Sequence, residues 1–134
     1  MTYDLSKEYN TDSKKEEEGV WEPMGGDCKV LVAAWNNPKF DDALAAQPRQ
    51  IRRRIDRGKL SDDEDREIMV VVVGDTILLG WKNLLDDGKE IKYTKALAAK
   101  MLTKHPKFYR DIVAIANDES RYQKDDVAEN LKNS

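Results

Sequence analysis

The chain is poor in the residues that build disulfides and metal centres. Its 134 residues include one cysteine, Cys28, and one histidine, His105. A single cysteine excludes an intramolecular disulfide and suits a reducing compartment. A single histidine excludes any site that needs two. Long hydrophobic runs are also missing. The longest, Ile68 to Trp81, is broken by Asp75 and is too short to span a bilayer. The opening Met1-Thr2-Tyr3-Asp4 has no basic region followed by an apolar one, so no signal peptide is expected. Nor is there an excess of positive charge. Lys and Arg number 23 against 26 Asp and Glu, for a net charge of -3, which disfavours a general nucleic-acid binder. No phosphate loop, dinucleotide fingerprint, zinc spacing or internal repeat is found.

What is present suits one charge-rich domain. Charged residues make up 37% of the chain and hydrophobic ones 40%, and the apolar residues come in runs, unlike those of a disordered chain. At 15.4 kDa, such a chain buries about two thirds of the surface it exposes when unfolded. Residues 1–18 stand apart, with three lysines against six acids and few apolar residues. They read as a flexible acidic N-terminal arm, and 19–134 as the folded domain.

Turn and cap chemistry marks out the elements of that domain. Gly19 to Met24 reads as a strand, with Pro23 suiting an edge position. Gly25-Gly26-Asp27 is a turn, and Cys28 to Trp35 is a second strand with Cys28, Val30, Val32 and Ala34 on one face. Asn37-Pro38 opens a helix, Pro48 interrupts it and Gly58 ends its resumption. Ser61 with Glu64 forms a capping box. The valine run within Ile68 to Leu79 alone suggests a strand, while the capping box and the total length favour a central, fully buried helix. Asp87-Gly88 is a turn followed by an extended Ile91 to Tyr93. Thr94 caps a helix with Leu97, Ala98, Met101 and Leu102 inward. His105-Pro106 passes to the next helix, whose apolar side is Phe108, Ile112, Val113, Ile115 and Ala116. Ser120 is expected to cap a last helix through Leu131. The fold class expected is therefore mostly α with a small N-terminal β-hairpin, a single compact helical domain.

Few constellations in the chain carry chemistry. Cys28 and His105 form a nucleophile–base pair only if folding brings them together, and no local motif surrounds either. The acids Asp62 to Asp65 lack the alternate spacing and glycine of a calcium loop and complement a helix dipole instead. No catalytic residue, cofactor-binding residue or metal ligand is assigned. The basic run Arg49, Arg52, Arg53, Arg54, Arg57 and Lys59 is opposed only by Asp56. It reads either as a phosphate-contacting helix or, favoured here, as a positive helix end paired across Gly58 with the acids that follow. Trp21, Trp35 and Trp81 stand near element ends and read as core corners. The last helix has a thin apolar stripe, so Tyr122, Val127 and Leu131, with Met101 and Phe108 beneath them, are the expected partner-binding residues.

The order and spacing of the motifs point further. They are Gly19-Val20-Trp21, Asp27-Cys28-Lys29-Val30, Asn36-Asn37-Pro38-Lys39-Phe40, Gly58-Lys59-Leu60, Thr76 to Asn83, Asp87 to Thr94 and a terminal Lys132-Asn133. In this arrangement the chain resembles the tail assembly chaperones of long-tailed bacteriophages. The resemblance implies a small, non-enzymatic, mostly helical protein that needs no cofactor. It implies binding and solubilising of the tape measure protein and recruitment of the tail tube protein. It also implies residence in the host bacterial cytoplasm and absence from the finished virion. Neither nucleic acid nor membrane is an expected partner. Family members are often made in two lengths by ribosomal slippage. Codons for Leu131-Lys132-Asn133 permit the heptamer A AAA AAC, so a longer, tube-binding form is compatible with this end. The alternatives are a structural protein of the tail or head–tail joint and a nucleic-acid-binding regulator.

Overall fold

The computed structural model describes residues 2–58 and 61–124. Two short helices come first, α1 (Leu5–Glu8) and α2 (Ser13–Glu18), followed by strands β1 (Val20–Gly25) and β2 (Cys28–Val32). Helices α3 (Pro38–Ala45), α4 (Arg49–Asp56) and α5 (Asp62–Thr76) lead into strand β3 (Leu78–Lys82). A two-stranded hairpin, β4 (Leu85–Asp86) and β5 (Lys89–Glu90), precedes α6 (Lys95–Lys104) and α7 (Pro106–Ala116), and a 3-10 turn spans Glu119–Tyr122.

A single helical domain with only an N-terminal hairpin does not describe this molecule. Its centre is a three-stranded antiparallel sheet in the order β1-β2-β3, and β4 and β5 form a second, small sheet. The correction lies within the apolar run. The capping box holds, with Ser61 Oγ accepting from Glu64 N at 3.2 Å, and the valines are helical as expected. The helix stops at Thr76, however, and Leu78–Lys82 returns along β2, pairing Val30 with Trp81 and Leu31 with Gly80. Nor is the helix fully buried as expected: Val71 is 54% exposed and Asp75 is exposed four residues on, while Val70, Val72 and Val73 are buried. With the outer face itself apolar at Val71, the run shows no clear period that separates helix from strand.

Asn37 fixes the stop. Its side-chain oxygen accepts from Phe40 N at 3.0 Å and caps α3. Its amide donates to Ala34 O at 2.9 Å and to Thr76 O at 3.2 Å. One buried side chain thus starts α3 and satisfies a carbonyl at the end of α5. Gly74 allows α6 to pack close, since a Cβ there would lie 3.0 Å from Ala99 N. The core joins one sheet face (Val30, Val32, Leu78, Trp81) to α5, α6 and α7 through Val70, Val73, Leu102 and Ile112.

Residues 2–18 carry structure rather than a featureless run. Asp4 and Asp12 cap α1 and α2. Asp12 N donates to Tyr122 O at 2.7 Å, Ala34 N to Glu16 O at 2.8 Å and Lys124 N to Asn10 O at 2.9 Å. The expected last helix from Ser120 to Leu131 is also corrected where it is described. Glu119–Tyr122 is a 3-10 turn capped by Asp118, not by Ser120, and Gln123 bridges to Thr11. Val127 and Leu131, like Lys132 and Asn133, lie outside the described residues.

Candidate partner-binding surface

Of the predicted contact residues, Met101, Phe108 and Tyr122 are described, and these three do not share one surface. Tyr122 is 2% exposed and its hydroxyl donates to Val32 O at 3.0 Å. Burial pushes its phenol up to about 12. It is therefore a core residue that fastens the 3-10 turn to β2. Met101 is buried on α6, and Phe108 is half-buried near the start of α7. These last two meet in one place. With Leu84, Leu85, Ile91 and His105 they line an apolar notch of about 70 Å³, beside Asp86.

The hairpin builds the outer wall of this notch. Asp87 and Gly88 have φ of 51° and 77°, the pair of positive values that a two-residue type I′ turn requires. Beyond the turn the chain is anchored in three places. Ile91 N donates to Leu84 O at 2.9 Å, Trp81 Nε1 to Ile91 O at 2.8 Å and Tyr93 OH to Leu78 O at 2.7 Å. The hairpin is then clasped to the α6–α7 corner. Lys104 Nζ donates to Asp86 Oδ2 at 2.6 Å, and His105 Nε2 lies 3.0 Å from Asp86 Oδ1. The Lys104 hydrogen bond holds the Asp86 carboxyl below its usual range, and the same bond raises the Lys104 ammonium. Above the clasp Leu85 stands 60% exposed. A large apolar side chain held in water beside an apolar recess suits contact with a partner.

Cys28 is half-buried on β2, where burial pushes its thiol up, away from the thiolate a nucleophile needs. His105 faces Asp86. Among the described residues, no group of three or more His, Cys, Asp or Glu gathers closely enough to hold a metal ion. No helix among them is long and apolar enough to cross a membrane. The expected pairing across Gly58 is realised once among the described residues, as Arg54 to Glu64 at 2.7 Å. Trp81 is buried and Trp35 tilts against Phe40 with centroids 4.5 Å apart. Trp21, expected in a core corner, lies exposed on the outer sheet face with Lys82 Nζ 4.4 Å from its ring centroid. Leu85 was missed because Leu84-Leu85 before Asp-Asp-Gly reads as the flank of a turn. Only the tertiary fold, which brings the α6–α7 corner to the hairpin, places Phe108 near it.

No curated protein and no solved structure matches the chain. A family model described as YdaY prophage protein matches residues 35–133, which takes in the hairpin, the clasp and the notch. The match supports the phage association that the tail-chaperone resemblance implied and carries nothing specific to tail assembly. The chain belongs to the YdaY prophage protein family.

Proposed function

We infer that the chain is a non-enzymatic phage tail assembly chaperone that binds the tape measure protein and helps recruit tail tube subunits. The notch beside Leu85 is the observation that carries this reading. The resemblance implies a long helical partner whose apolar stripes stay uncovered until the tube closes round them. Such stripes aggregate unless masked. A recess of about 70 Å³ takes one apolar side chain of an amphipathic helix, and Leu85 covers the next turn of the same stripe. Asp86, Lys104 and His105 at the rim supply the polar contacts that set register.

Co-expression with the tape measure protein of the same prophage tests the reading. The chain is expected to raise the partner's soluble yield and to co-purify with it. Leu85→Asp is expected to abolish co-purification while the chain melts as before, because that side chain contributes little to its own core. No gain in solubility and no co-purification would refute the reading. Recovery of the chain from purified particles would favour a structural role in the tail.

A further inference from the structure

Helix α4 carries a row of cations that no ion pair among the described residues neutralises. Arg49, Arg52, Arg53 and Arg57 are exposed, and Arg57 N donates to Arg53 O at 3.1 Å, which continues the helical turn. Arg49, Arg53 and Arg57 follow one another at four-residue spacing, about 6 Å of rise each, with Arg52 beside them. Like charges at this spacing repel. Of the arginines in this run only Arg54, at the edge of the row three residues before Arg57, is paired among the described residues, with Glu64. The start of α5 is the mirror case. Asp63 and Glu67 are exposed, four residues apart and on one face, beside Thr103 and Pro106. Asp62 and Asp65 flank them, and Arg66 is the cation within that surface. Neither Asp63 nor Glu67 has an ion pair among the described residues.

Two rows of opposite sign, with the same repeat, therefore lie at neighbouring corners of one molecule and do not meet. We propose that they meet between molecules, with the arginine row of α4 in one copy docking on the Asp63–Glu67 face of α5 in a second copy. Complementary patches on one chain are what an association between copies requires. A nucleic acid fits less well. Its backbone is charged without interruption, so it would also run past Asp56 and the acids at the start of α5. Individual exposed ion pairs are weak, so the contact is a reversible, salt-dependent one. It does not depend on whether the chain binds a tape measure protein.

Sedimentation velocity of the full chain tests it. At about 0.1 M salt charges reach about 10 Å, and at about 1 M only about 3 Å. The lower salt damps repulsion between two copies of net charge -3 and leaves contact pairs attractive. A concentration-dependent rise above monomer mass is expected at the lower salt and a return to monomer at the higher. Arg49→Glu/Arg53→Glu is expected to weaken association at least tenfold, and so is Asp63→Lys/Glu67→Lys. Mixing the two variants should restore it, because the swapped rows complement each other again. Circular dichroism identifies a variant that fails to fold, and the salt dependence of the unmodified chain needs no variant. A monomer at every salt overturns the proposal. So does association that both variants retain. Binding of a DNA duplex through α4 at physiological salt, tighter than the non-specific range of about 10⁻⁴ to 10⁻⁶ M, by a chain that stays monomeric, overturns it too and assigns the row to phosphate.

Discussion

Asn37 shows how one side chain orders two helices. Its oxygen caps α3, and its amide satisfies Ala34 O and Thr76 O in a site 3% exposed. Losing an N-cap costs about 1 kcal/mol, and leaving a buried acceptor unsatisfied costs about 1 to 3 kcal/mol more. Asn37→Ala is therefore expected to destabilise the domain by about 2 to 4 kcal/mol, a fall in Tm on the order of 10 °C by thermal melt. Asn37→Ser separates the two contributions. The hydroxyl keeps an acceptor for Phe40 N but does not reach both carbonyls, so the loss should be intermediate. Equal losses from the two variants would mean that the carbonyl contacts carry the whole effect.

At the scale of elements, the β4–β5 hairpin depends on its clasp, and the clasp depends on pH. Asp86 has a folded pKa below its ordinary value, chiefly through the Lys104 hydrogen bond. Its stabilising contribution is thus present above the unfolded carboxylate pKa of about 3.9 and is lost as pH falls through the lower folded value. Lys104 is raised by the same bond. Its contribution is present below the unfolded lysine pKa of about 10.4 and is lost as pH rises through the higher folded value. Between those limits the hairpin is held, and acid releases it. Amide exchange at the Leu85–Glu90 ladder should accelerate below about pH 4, and Asp86→Asn should show that faster exchange at neutral pH after correction for the intrinsic rate. Unchanged exchange would mean that the turn and the Trp81 and Tyr93 anchors suffice. This hairpin also marks how far the sequence could be read. The Asp87-Gly88 turn and the caps at Asn37, Ser61 and Thr94 are local devices, visible in a few residues, and each is where it was expected. Strand β3 is not local. Leu78–Lys82 becomes a strand because β2 lies beside it, and Gly80 sits beneath Leu31 and Trp21, where a Cβ would be in ordinary contact with them at 3.6 to 3.8 Å. An apolar run carries no sign of that partner. The candidate surface divides in the same way, since periodicity brought out Met101 and Phe108 while Leu85 needed the tertiary fold.

For the molecule as a whole, the remaining question is what residues 1–18 do for the domain. Acidic and poor in apolar residues, they buy no core of their own, and no residue of α2 is buried. Yet they close the far end of the sheet. Thr11 bridges to Gln123, and Lys15 Nζ donates to Gln123 O at 3.1 Å. Backbone hydrogen bonds from Asp12, Ala34 and Lys124 join 10–16 to the chain just after β2 and to 122–124, at and just after the 3-10 turn. Tyr122, which these contacts flank, is the residue that ties that turn to β2 through Val32 O. Hydrogen bonds of this kind contribute about 1 kcal/mol each when they exclude water and less when they do not. Deleting residues 1–18 is therefore expected to cost about 2 kcal/mol in denaturant melts and to leave the α5–α6–α7 core folded. The spectral change belongs to Tyr122: its titration should move down from about 12 towards the ordinary tyrosine value of about 10 as water reaches it. Exchange at Ala34 and Lys124 should accelerate most, because their amide partners are Glu16 and Asn10. A free arm gives the opposite result, with stability, titration and exchange all unchanged on deletion, and would return 1–18 to the role of a solvated terminus.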